Sequence, residues 1–144
     1  MAVMSDSVFS KIIRGEIPAQ RLYEDDKIIA ILDMNPVAEG HTLVIPKEPA
    51  ETMDTLSDDA AAALGRTLPR IARAVMRATG ATAYNLLQNN GETASQSVMH
   101  VHVHVIPRFP DRDSAGGGLG LVWNTSKPDA EAQAELGRKI ARLL

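Results

Sequence analysis

The sequence predicts an α+β domain, a mainly antiparallel sheet with helices packed on it. Three observations carry this expectation. Short β-prone runs are separated by turn residues, one long segment has helix-start and helix-stop residues at its ends, and the last stretch is amphipathic with basic residues late.

Taken in order, "SVFSKIIR" (residues 7 to 14) places apolar residues at 8, 9, 12 and 13, a helical spacing, with Gly15 as its stop. "AQRLYEDDKIIAILD" reads as two short strands around a turn at Asp25 and Asp26, the second from about Lys27 to Leu32. "GHTLVIPK" reads as a strand opened by Gly40 and closed by Pro46. In "LSDDAAAALGRTLPRIARAVMRATG", Ser57 is a good N-cap, Asp58 and Asp59 suit the first turn, and Gly80 ends the helix. Gly65 and Pro69 inside it predict a kink or break. "ATAYNLLQNNG" gives a strand and a polar loop, and "VMHVHVHVIP" gives the last strand. "DRDSAGGGLGLVW" reads as an irregular connection. "SKPDAEAQAELGRKIARLL" then reads as a terminal helix, with Ser126 or Lys127 near its start and Pro128 in the first turn.

The 144 residues fit one domain, 1–144, which at this size buries roughly 68–70% of the surface of its unfolded chain. There is no cysteine, so neither a disulfide framework nor a thiolate metal site is available. A net charge of -3 without a basic run argues against binding to nucleic acid or anionic membranes. No signal peptide or membrane-length apolar run is visible, so a cytoplasmic location is expected. Five aromatics leave little for a base-stacking platform.

Three of the four histidines fall in "SVMHVHVHVIPR" (97 to 108), in strict alternation. A strand would put His100, His102 and His104 on one face and Val101, Val103 and Val105 on the other, the histidines about 6.6 Å apart per pair. One reading is a polar strand face that happens to be histidine. Another is a metal site, since three imidazoles form a known zinc ligand set; the outer two, about 13 Å apart, would have to lean inward, and only His41 offers a further ligand. The third is catalytic: a neutral central imidazole attacks phosphorus while its neighbours orient it, bind phosphate oxygens or move protons. Spacing alone leaves metal and nucleophile open and favours the nucleophile modestly.

"HVHVHVI" resembles the signature of the histidine triad (HIT) family, His-φ-His-φ-His-φ-φ with φ hydrophobic. "VFSKIIRGEIPAQRLYEDDKIIAILDMNPVAEGHTLVIPK" and "NNGETASQSVMHVHVHVIPR" resemble the same family, its Hint-like branch and short bacterial members above all. The resemblance covers about residues 6–108 and leaves a C-terminal extension of about 109–144. It implies a HIT-like fold, a homodimer, and a nucleotide hydrolase working through a covalent nucleotidyl-histidine. The implied substrates are purine nucleotide conjugates such as nucleoside phosphoramidates. Dinucleoside polyphosphate hydrolysis is an alternative, as is a nucleotide-binding interaction protein with weak hydrolysis.

Residue by residue, the resemblance makes His102 the nucleophile, flanked by His100 and His104 and supported by His41. Asp33 matches the ribose-binding acid, and Asn89, Gln96 and Ser97 match polar positions contacting ribose and phosphate. Phe9, Ile12, Ile31 and Met34 match positions lining the base pocket. Histidine at the third triad place, where uridylyltransferase relatives have glutamine, favours hydrolysis by water. Relatives often carry Cys-x-x-Cys near the start and a histidine after "VIPK" as a structural zinc site; Ser7, Ser10 and Pro49 stand there, so no metal or other cofactor is expected. Trp123 has two readings, shaping the site or anchoring the terminal helix, and the anchor is the expectation.

Overall fold

Helix caps and turns divide the chain much as their residue types demand. The computed structural model describes residues 6–113 and 123–144. Ser7 caps α1 (Val8–Ile13) by accepting from the Ser10 N–H, and Gly15 follows with φ +79°. Ser57 caps α2 (Asp58–Thr79) the same way, and Gly80 closes it in the left-handed conformation that a residue without Cβ adopts freely. Five strands, β1 (Arg21–Glu24), β2 (Ile28–Leu32), β3 (Thr42–Pro46), β4 (Ala83–Leu87) and β5 (Val103–Arg108), form one antiparallel sheet in the order β1-β2-β3-β5-β4. The chain closes with α3 (Ala130–Arg142).

Strand alternation divides the apolar residues between two faces. Ile28, Ala30, Leu32, Val44, Val101, Val103 and Val105 join the buried side of α2 and Ile140 of α3. Ile29, Ile31, Leu43 and Ile45 join Phe9 and Ile12 of α1. The valines between the histidines therefore belong to the α2 core, and the histidines face the α1 side. The small buried residues of α2, among them Ala60, Ala63, Ala74 and Ala78, let that long helix lie close on the sheet. No helix among the described residues is long and apolar enough to cross a membrane.

Three expectations need correction. α2 runs from Asp58 to Thr79 without a break despite Pro69. The N–H that proline lacks would have met the Gly65 carbonyl, and both residues are exposed, so the orphaned acceptor lies on the solvent side. The last strand is shorter than the run "VMHVHVHVIP": the His100 N–H bonds the Val98 carbonyl and the Val101 N–H bonds the Ala50 carbonyl, both at 2.9 Å, so the sheet ladder begins only at Val103. α3 starts later than expected, capped by Asp129, and Pro128 lies outside it. The glycine-rich connection, from residue 114 to 122, lies outside the described residues.

Candidate active site

The loop from β2 to β3 sets one side of the histidine cluster. Gly40 has φ +85°, and a Cβ there would stand 2.6 Å from Thr79 Cγ2, so both backbone and space require glycine. The Asp33 N–H donates to the His41 carbonyl at 2.9 Å, and Asp33 Oδ1 accepts from the Asn35 N–H at 2.9 Å. His41 is thereby held fully buried at the head of β3.

His104 lies within β5, opposite Leu43 of β3 and Leu87 of β4. His100, at the end of a bend over residues 98–100, and His102 lie in the segment just before it. The histidine rings nevertheless gather: His102 and His104 have centroids 4.9 Å apart, and His104 and His41 5.1 Å apart. Phe9 of α1 packs edge-on against His102 at 4.8 Å and against His100 at 6.0 Å. All four histidines are buried.

Hydrogen-bond partners assign protons to two of these rings. His102 Nδ1 stands 2.7 Å from the His100 carbonyl, which can only accept, so Nδ1 carries the proton and Nε2 keeps a free lone pair. His100 donates from Nε2 to the Pro46 carbonyl at 2.7 Å, while its Nδ1 meets Ser7 Oγ at 3.1 Å. Both His100 nitrogens are thus engaged by protein. His41 Nε2 and His104 Nδ1 are 2.8 Å apart, and Asp33 Oδ2 is 3.5 Å from His41 Nε2.

Burial lowers the pKa of every one of these histidines, His41 to about 3 and His104 to about 4, because desolvation disfavours imidazolium; neighbouring imidazoles add to the effect at His41, His102 and His104. The cluster is neutral at pH 7. Burial also raises the Asp33 carboxyl, opposed by the Asn35 N–H.

Asp33, His41 and His104 have donor atoms within 4.8 Å of one another. The 2.8 Å between the two imidazole nitrogens is a hydrogen bond; two ligands at about 2.0–2.1 Å from a tetrahedral ion would stand roughly 3.3 Å apart. At the place of the relatives' structural zinc, Ser7 Oγ accepts from the Ser10 N–H and meets His100, while Pro49 offers no ligand. The residues present do not fit zinc.

The other expected residues divide. Gln96 is buried, accepts from the Gly91 N–H at 2.6 Å and donates to the carbonyls of Glu51 and Val98, so it ties the 91–98 loop in place. Asn89 is half-buried, its amide donating to the Ser95 carbonyl at 3.4 Å, and Ser97 is exposed. Phe9, Ile12 and Ile31 are buried in the second apolar cluster, whereas Met34 is 65% exposed. Trp123 is not the anchor expected: it is 45% exposed and its ring meets His104 and His41 edge-on at 5.2 and 5.6 Å. Its contact partners lie far off in sequence, so no local pattern points to them. Ser7 and His100 lie 93 positions apart, so the contact of Ser7 Oγ with His100 Nδ1 likewise has no local signal in the sequence.

The HIT domain model matches residues 14–111. An adenosine 5'-monophosphoramidase of Schizosaccharomyces pombe is 42% identical over 134 residues, 93% of this chain and 95% of that protein. An adenylylsulfatase of Arabidopsis thaliana is 43% identical over 130 residues, 90% of this chain; the match spans 66% of that relative's length. The crystal structure of a HIT-like protein of Bartonella henselae superposes with a TM-score of 0.81 at 34% identity, covering 96% of this chain and 97% of that one.

Proposed function

The chain belongs to the HIT domain family, and on that premise we propose that it hydrolyses purine nucleotide conjugates, nucleoside phosphoramidates first among them, through a nucleotidyl-His102 intermediate. The observation that carries this reading is the 2.7 Å bond from His102 Nδ1 to the His100 carbonyl, which leaves the Nε2 lone pair free in a ring that is neutral at pH 7. The names of the two relatives, a phosphoramidase and an adenylylsulfatase, support hydrolysis at an adenylyl phosphorus.

In the first step the Nε2 lone pair of His102 forms a bond to the α-phosphorus. The bond from phosphorus to the leaving nitrogen or oxygen breaks, and that atom keeps the electron pair and takes a proton. In the second step water attacks the same phosphorus, the P–Nε2 bond breaks, and its electron pair returns to His102. One water is consumed; amine or acid and nucleoside monophosphate leave. Asp33, at the end of β2, accepts from ribose hydroxyls, and Met34 beside it meets the base. Asn89 and Ser97 contact ribose and phosphate.

A homodimer completes the reading. β4 is an edge strand whose Tyr84 and Leu86 are 43% and 49% exposed, an apolar edge of the kind a second copy covers. Steady-state turnover of a panel spanning adenosine phosphoramidate, adenylyl sulfate and dinucleoside polyphosphates tests the function. Release of AMP fastest from the phosphoramidate is expected. Tight AMP binding with no turnover of any member would make the protein a nucleotide binder instead.

A further inference from the structure

The protons of two more histidines follow from one backbone N–H. Val37, between β2 and β3, donates its main-chain N–H to His41 Nδ1 at 3.1 Å. A nitrogen that accepts carries no proton, so neutral His41 holds its single ring proton on Nε2. His104 Nδ1 lies 2.8 Å from that nitrogen, within hydrogen-bond distance, whereas the Asp33 oxygen is 3.5 Å away. His104 Nδ1 is therefore an acceptor, and neutral His104 carries its proton on Nε2.

Protonating His104 would force a second hydrogen into the 2.8 Å gap, facing the one on His41. His41 has no means of yielding. Moving its proton to Nδ1 would set it against the Val37 N–H, and losing it would leave an imidazolate buried from water.

We propose that His41 is a positioning residue that holds His104 neutral with its proton on Nε2, making His104 a fixed hydrogen-bond donor to the substrate rather than an acid that titrates. The inference rests on the hydrolase reading for its substrate, but the proton positions belong to the free protein. The leaving group then takes its proton from solvent, and His104 donates a hydrogen bond to charge on the phosphoryl group. Burial acts in the same direction, depressing His104 to about 4 and His41 to about 3. The titratable groups facing the pair are Asp33, at the end of β2, and His102, ahead of β5; the Trp123 ring against both is uncharged.

Long-range proton–nitrogen NMR on the full ¹⁵N-labelled chain reads the tautomer directly. At pH 7 His104 Nδ1 is expected at the shift of a bare nitrogen and Nε2 at that of a protonated one, unchanged on acidification to about pH 5. His41→Leu removes the donor; His104 should then mix tautomers and titrate nearer its ordinary value of about 6.5. His41→Gln, whose amide can donate, should restore the single tautomer. A proton on His104 Nδ1 in the wild-type protein overturns the proposal, as does a His41→Leu protein with unaltered His104 titration. If His41→Leu does not fold, the wild-type spectrum alone decides. A locked His104 in a protein without turnover would uphold the lock and sink the hydrolase reading.

Discussion

The main-chain carbonyl of His100 accepts the Nδ1 proton of His102 at 2.7 Å, a bond between residues two apart that aims the second ring nitrogen away from the backbone. Its consequence is a pH dependence of definite sign. Nε2 attacks only when unprotonated, and burial holds the His102 pKa below its ordinary value of about 6.5. The value of kcat/KM should be flat through neutrality and fall with acid, its midpoint below 6.5. A midpoint above that, or a rate that climbs as pH drops, contradicts the assignment.

Ser7 couples helix α1 to the site. Its Oγ accepts from the Ser10 N–H at 3.0 Å, capping α1, and meets His100 Nδ1 at 3.1 Å. Ser7→Ala should cost about 0.5–2 kcal/mol of stability by loss of the cap. One lost hydrogen bond of about 1 kcal/mol limits the rate loss to roughly fivefold. Ser7→Thr should recover most of both. Denaturation and turnover measured on the two variants check this; equal losses in Ala and Thr would show that the hydroxyl is not the cause.

Gly40 sets the approach of the loop to α2. Alanine there meets both φ +85° and Thr79 Cγ2 at 2.6 Å, and the two together should cost about 2–4 kcal/mol. Thr79→Ser deletes that methyl while keeping the hydroxyl that bonds the Val75 carbonyl at 2.8 Å. In the double variant the loss should shrink to the backbone part, about 1–2 kcal/mol. A double-mutant cycle with no coupling between the two positions rules out the contact.

Acid should destabilise the fold through the same histidines. Folded His41 and His104 have pKa values of about 3 and about 4, below the unfolded value of about 6.5. Between these limits the unfolded chain binds protons that the native state refuses, so stability is complete above about pH 6.5 and is lost as pH falls toward 4. At about 1.4 kcal/mol per unit and group, the loss by pH 4.5 is on the order of several kcal/mol. Glu24, held below its usual range chiefly by Lys47, adds to the acid loss at lower pH; Asp33, raised by burial, opposes it. Urea midpoints at pH 7 and pH 4.5 measure the difference, and equal midpoints would refute it.

Local signals located most of the fold. Ser57 and Gly80 bracket α2 because capping chemistry is short-range, and the alternation of His100 to His104 placed valines and histidines on opposite sides even where no strand forms. What local pattern could not supply was pairing: whether Val101 bonds a neighbouring strand or the Ala50 carbonyl depends on a segment fifty residues away. The same holds for the site. Gln96 was legible as a polar residue near the triad, but its three loop-tying bonds depend on Glu51, Gly91 and Val98 coming together. For Trp123 the sequence leaves two readings, shaping the site or anchoring the terminal helix, and only the folded chain brings it to His41 and His104.

Hydrolysis through His102 requires that its Nε2 become covalently nucleotidylated. Rapid acid-free quenching of the wild-type protein with adenosine phosphoramidate, followed by mass spectrometry of its peptides, tests this most directly. An adenylyl increment on His102, formed and lost at rates compatible with turnover and accompanied by abolished turnover but retained AMP binding in His102→Ala, is the predicted result. Near-wild-type turnover by His102→Ala would contradict it.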